Sequence, residues 1–128
     1  MTREELNKLS KIILLSAMEV HREMGPGLLE SVYEICLVEE LKSHGVSCER
    51  QVILPLFYKG KELSKDFRID VLVENEIILE LKTVDYILNI HEAQIISYLK
   101  LANKKLGFLI NFNEALLKDG FRRFVNKF

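Results

Sequence analysis

No apolar run in this chain approaches the roughly 20 residues needed to cross a bilayer. Its opening residues, Thr2-Arg3-Glu4-Glu5, are too acidic and polar for a secretory signal. Cysteine is scarce: Cys36 and Cys48 have a spacing that matches no zinc or redox motif. With no export signal they read as reduced thiols of a cytoplasmic protein. Cys36 lies in an apolar helical stretch and reads as a small core residue rather than a nucleophile. Low-complexity stretches, repeats and linkers are all missing, so residues 1–128 read as a single domain. That length can bury a core without metals or disulfides to hold it. A strong charge of one sign is missing too, since the net charge is −1. From Leu99 onward, however, seven basic residues face only Glu114 and Asp119, a local excess of +5 that leaves −6 on residues 1–98. A basic C-terminal third fits contact with phosphates and fits a solvated surface equally well.

What is present is regular patterning. Thr2 and Glu5 have capping-box spacing, and Leu6, Leu9, Ile13, Ala17 and Val20 follow as one helical stripe. Gly25-Pro26-Gly27 ends that helix, and a second runs from Leu28 to about Lys42, with Leu29, Val32, Cys36 and Leu41 expected in the core. Val52–Tyr58 is extended, with a proline that points to an edge or a bulge, and Lys59-Gly60 turns the chain. Phe67–Val73 and Ile77–Val84 read as strands joined through Glu74-Asn75-Glu76. Asn89 can cap a helix over His91–Asn103, with Ile95, Ile96, Leu99 and Ala102 inward. Leu106–Phe112 is a further strand. Glu114–Asn126 reads as a short basic helix burying Leu116, Leu117, Phe121 and Phe124. The order α-α-β-β-β-α-β-α makes an α/β domain with a mixed sheet, its third helix being long enough for a parallel crossover.

The register of the hairpin is the informative choice. A two-residue loop would place Ile69 opposite Glu80 and Asp70 opposite Leu79, mixing carboxylates with core residues. A three-residue loop pairs Val73 with Ile77, Val71 with Leu79 and Ile69 with Leu81, leaving one face wholly apolar. A one-residue slip flips every side chain, so apolar matching selects the three-residue loop. Asp70 then faces Glu80, with Lys82 two residues on. Opposed carboxylates repel unless both meet water or a cation lies between them.

At these residues the chain resembles a known group. Gly27-Leu28-Leu29-Glu30-Ser31-Val32-Tyr33 looks like the signature of the GxxExxY protein family, within the PD-(D/E)XK nuclease-like superfamily. Asp70 with Glu80-Leu81-Lys82 resembles the superfamily's D…ExK core, and Gln94-Ile95-Ile96-Ser97-Tyr98 its QxxxY element. Leu109-Ile110-Asn111-Phe112 and Lys118-Asp119-Gly120-Phe121-Arg122 are further family-like stretches, and Ile69 stands where the superfamily's introductory proline would be. The resemblance implies a restriction-endonuclease-like three-layer fold, a central mixed sheet flanked by helices. It also implies a Mg²⁺- or Mn²⁺-dependent nuclease acting on DNA or RNA.

By that resemblance Asp70 and Glu80 are metal ligands, with the Leu81 carbonyl and Glu30 as further ligands, and Lys82 orients water or stabilises developing charge. Glu30 and Tyr33 share one side of the second helix, and Tyr33 can serve the site or fill the core. Gln94 and Tyr98, one turn apart, suit phosphate or base-edge contacts or a brace for Lys82. Arg68 is a candidate phosphate contact, Arg122 a weaker one, and His91 reads as a capping or surface residue. Two other functions fit the same residues: an inactive nuclease-fold module that binds nucleic acid, and an interaction subunit that forms homo-oligomers or joins a protein partner.

Overall fold

In a computed structural model that describes residues 1–128, the chain forms three helices and one five-stranded sheet. They are α1 (Arg3–Met24), α2 (Glu30–Ser43), β1 (Cys48–Tyr58), β2 (Lys61–Val73), β3 (Ile77–Lys82), α3 (Asn89–Ala102), β4 (Leu106–Asn111) and β5 (Phe121–Val125), with a 3₁₀ turn at Leu117–Gly120. The sheet order is β1-β2-β3-β4-β5, antiparallel throughout except for the β3–β4 pair that α3 connects. Helices cover both faces. One core cluster packs Leu6, Ile13, Tyr33 and Leu37 of α1 and α2 against Val71, Leu79 and Phe108 of the sheet. The second packs Ile95, Tyr98 and Leu99 of α3 against Leu54, Ile69, Leu72, Ile78 and Leu109. This is the expected three-layer arrangement with a mixed central sheet. No helix is long and apolar enough to cross a membrane.

Helix α1 starts on the capping box, with Thr2 Oγ1 accepting the Glu5 N–H and Glu5 accepting the Thr2 N–H, both at 3.1 Å. Its stripe Leu6, Leu9, Ile13, Ala17 and Val20 is buried as spaced. Helix α2 departs from expectation. Its buried face is Tyr33, Glu34, Leu37, Val38 and Leu41, whereas Leu29 precedes the helix and is exposed and Cys36 is only half-buried. In α3 the first helical residue is Asn89 and the cap is Leu88, whose N–H donates to His91 Nδ1 at 3.0 Å; Ile96 faces outward.

The last segment is a strand, not a helix. Phe121–Val125 pairs antiparallel with β4, Phe108 facing Arg123 and Ile110 facing Phe121. The three-residue spacing of Phe121 and Phe124 suggests one helical face, but in a strand it sends them to opposite faces. Phe121 stacks on Phe108 at 4.7 Å in the first cluster, and Phe124 packs against the second.

Candidate active site

The hairpin β2–β3 has the three-residue loop: Val73 pairs with Ile77, Leu72 with Ile78 and Val71 with Leu79. Glu74 and Asn75 adopt left-handed φ values of 52° and 55° to close it. There the regular ladder stops. Ile69 does not continue opposite Leu81 on the face of Val71; it joins the cluster beneath α3, while Leu81 stays in the cluster beneath α1 and α2. The cause lies in β1. Gln51, between the Arg50–Val71 and Val52–Ile69 pairs, takes φ 51°, and this left-handed residue turns the ribbon over.

The two strands part at Asp70 and Glu80, and these side chains replace the missing ladder. The Asp70 N–H donates to Glu80 Oε2 at 2.9 Å, and the Leu81 N–H donates to Asp70 Oδ2 at 2.8 Å. Asp70 Oδ1 and Glu80 Oε1 carry no hydrogen bond. Glu80 is 3% exposed. Burial, reinforced by the Asp70 charge, pushes its carboxyl up to about 8, against the opposing pull of the Asp70 N–H and the Lys82 charge. Asp70 is pushed up for the same first reason, burial. The Leu81 N–H and Lys82 pull it down, and the charges of Glu34 and Glu30 push it up.

A strand residue's N–H and C=O point to the same edge. The Leu81 N–H points at Asp70, so its carbonyl faces the same gap. The next carbonyl, of Lys82, turns to the other side and accepts the Phe112 N–H at 2.9 Å. The Lys82 side chain forms no ion pair, yet its charge acts on both carboxylates. Buried Asn111 braces the chain just beyond, its side chain donating to the Val84 carbonyl at 2.8 Å and accepting the Val84 N–H at 3.1 Å.

The other expected residues divide. Glu30 stands exposed on the first turn of α2, near enough for its charge to reach Asp70. No three His, Cys, Asp or Glu side chains converge closely enough to hold an ion. The carboxylate pair is therefore Asp70 and Glu80, with Glu30 at the rim. Residues flanking Glu30 and Lys82, including Leu29, Val32 and Thr83, line a cleft of about 540 Å³.

Tyr33 fills the core. Its hydroxyl donates to the Gly25 carbonyl at 2.5 Å and accepts the Leu28 N–H at 3.1 Å, and its ring stacks on Phe112 at 4.5 Å. It therefore shapes the loop that leads to Glu30. Gln94 donates to the Tyr98 hydroxyl at 3.1 Å, and the pair lines a groove of about 400 Å³ with Leu56 and Phe67 of the β1–β2 ribbon. Arg68 is exposed on that ribbon, its guanidinium folded back onto the carbonyls of Lys65 and Phe67. The basic C-terminal third is partly spoken for: Arg122 pairs with Glu92 at 3.1 Å, and Arg123 lies over the Phe128 ring.

Glu34 escaped the reading from sequence. It is 5% exposed and accepts from Arg50 Nε at 3.1 Å and from Gln51 Nε2 at 3.1 and 3.0 Å, so α2 clamps the residue that kinks β1 opposite Asp70. One signal was available: Glu34, Leu37, Val38 and Leu41 follow helical spacing, which puts a carboxylate on an apolar stripe.

The donor set suits a hard divalent ion. Two carboxylates each keep one oxygen free, a backbone carbonyl faces the same gap, and burial raises the free energy of both anions. Magnesium retains several waters and takes one or two carboxylates, so a third is not required. A model of the PD-(D/E)XK nuclease superfamily matches residues 7–124. Comparisons with curated proteins and with solved structures give no match. The match spans nearly the whole sequence: the chain belongs to the PD-(D/E)XK nuclease superfamily.

Proposed function

We propose that this protein is a cytoplasmic nuclease that hydrolyses phosphodiester bonds of DNA or RNA with Mg²⁺ or Mn²⁺, and that it falls in the GxxExxY group of its superfamily. The observation that carries the reading is the Asp70–Glu80 pair, two carboxylates held in a split of the sheet with the Lys82 ammonium unpaired beside them. Asp70, Glu80 and the Leu81 carbonyl would hold the ion, and Glu30 would serve as a further ligand or orient water beside it. The ion, when bound, neutralises phosphate charge and makes water a nucleophile near neutral pH.

The chain's own residues do the remainder. Lys82 orients the attacking water by hydrogen bond and offsets the negative charge that grows on the phosphoryl oxygens. Arg68 draws the phosphate backbone toward Asp70, and Gln94 with Tyr98 contacts the strand beside the scissile bond. The test is divalent-dependent cleavage of DNA and RNA by the wild type, Asp70→Ala and Lys82→Ala. Loss in both variants is expected; equal cleavage by all three overturns the assignment.

A further inference from the structure

The β1–β2 ribbon outruns the rest of the sheet. β3 pairs with β2 only over Val71–Val73, whereas β1 and β2 stay paired out to Tyr58 and Lys61. At about 3.3 Å per residue the arm extends roughly 25–30 Å from Asp70 to the Lys59-Gly60 turn. That turn has φ 51° and 78°, the two-residue geometry that keeps a twisted hairpin tight to its tip. Near the tip the apolar side chains cover no core: Phe57 is 56% exposed, Tyr58 61% and Leu63 54%. Lys59, Lys61, Lys65 and Arg68 lie along the same stretch of chain and outnumber Glu62 and Asp66. Lys65 pairs with Glu62 at 3.5 Å, and the Lys59 ammonium lies 5.5 Å from the Tyr58 ring centre.

An exposed apolar edge invites pairing with another strand, but this one is blunted. Pro55 offers no N–H, and β1 shifts register between Leu54 and Leu56 and again between Leu56 and Phe57. Two-fold self-association through the tip would set each cluster of lysines against its own copy. Phe57 and Tyr58 open to opposite faces of the ribbon, Tyr58 across from Lys61 and Phe57 across from Glu62. Cations beside open aromatic rings match a partner that offers phosphates and stackable faces together and that can wrap the tip. The arm also leads straight into the candidate site: Phe67, Arg68 and Asp70 lie on one strand, and Phe67 walls the groove that holds Gln94 and Tyr98.

We infer that the β1–β2 ribbon is a nucleic-acid-gripping arm, its lysines on the phosphates and Phe57 and Tyr58 against unpaired bases, feeding a single strand toward Asp70. This rests on the proposed nuclease reading for the strand's destination, but binding is measured apart from cleavage. The experiment is fluorescence anisotropy of a labelled single-stranded oligonucleotide in EDTA over a range of salt. The variants are Lys59→Glu with Lys61→Glu, and Phe57→Ser with Tyr58→Ser; these side chains lie outside both core clusters, so the thermal midpoint serves as the folding control.

Charge reversal weakens binding at least tenfold and flattens the log–log salt dependence by about 1.4, the value for two lost contacts at about 0.7 each. The aromatic pair weakens binding at least tenfold and leaves the salt slope unchanged. Wild-type affinity in the charge-reversed variant overturns the inference. So does a wild type that ignores the oligonucleotide yet dimerises through the arm or is retained on anionic lipid vesicles. Arm-dependent binding without cleavage under Mg²⁺ keeps the arm and defeats the nuclease reading; cleavage that ignores both double variants does the reverse.

Discussion

Asp70 and Glu80 exchange roles with the backbone they displace: Glu80 accepts the Asp70 N–H at 2.9 Å, and Asp70 accepts the Leu81 N–H at 2.8 Å. Each carboxylate stands in for the carbonyl that an unbroken ladder would have supplied. The strands can therefore part without orphaning the buried donors of Asp70 and Leu81. The cost of the site is electrostatic, since two anions are confined side by side and Glu80 is almost out of reach of water.

That cost sets a pH dependence for the ion-free protein. The Glu80 carboxyl titrates near 8 in the folded chain, above its ordinary 4.5. Between those values the folded state binds the extra proton, so its contribution is complete below about pH 4.5 and is lost as pH rises through 8. Asp70, also raised, acts with the same sign. Urea unfolding in EDTA should show a higher midpoint near pH 6 than near pH 8.5. A midpoint that is flat or climbs over that range contradicts the assignment of the buried charge.

Replacing Glu80 with Gln keeps an acceptor for the Asp70 N–H and removes the charge. At pH 8 without divalent ion, Glu80→Gln should be more stable than wild type by roughly 1–3 kcal/mol. The same variant should give no heat on Mn²⁺ titration by calorimetry. A variant that is less stable and still binds Mn²⁺ would place the ion elsewhere.

The Glu34 clamp predicts a different pattern. Glu34→Ala strips the acceptor from Arg50 and Gln51 and should cost about 2 kcal/mol, a figure held down because Arg50 is 39% exposed and can turn to water. At Gln51, φ 51° favours glycine, so Gln51→Gly should stay within about 1 kcal/mol of wild type. Gln51→Val, branched at Cβ in a left-handed residue, should cost ~1–2 kcal/mol more than the glycine variant. Denaturant midpoints of the three variants check the order.

Tyr33→Phe keeps the stack on Phe112 and loses both hydroxyl bonds to the Gly25–Leu28 loop. A cost of about 2 kcal/mol in urea unfolding is expected. Oligonucleotide affinity in EDTA should match wild type, because the ring is fully buried and meets no substrate.

The elements that local periodicity can specify were legible without coordinates. The capping box and stripe of α1, the three-residue hairpin loop and the neighbourhood of Asp70, Glu80 and Lys82 all follow from spacing and apolar matching, which are properties of contiguous residues. Errors arose where a partner distant in sequence decides. Phe121 and Phe124 make a strand because the edge of β4 is free to pair, and no feature of 114–126 taken alone reports that edge. The buried face of α2 is set by the sheet and by α1, so Glu34 went inside and Leu29 outside. Ile69 changed face because Gln51, eighteen positions earlier in the chain, turns the ribbon over.

For the carboxylate pair the division is the same. That Asp70 meets Glu80 follows from residue spacing, because a period of two leaves one register in which Val71 and Val73 match Leu79 and Ile77. How they meet depends on long-range packing. The kink at Gln51, clamped by Glu34 from α2, ends the ladder and turns two opposed side chains into a split that can hold an ion. Side-chain spacing encodes which residues are neighbours across a hairpin, whereas the departure from regular pairing depends on what packs above it.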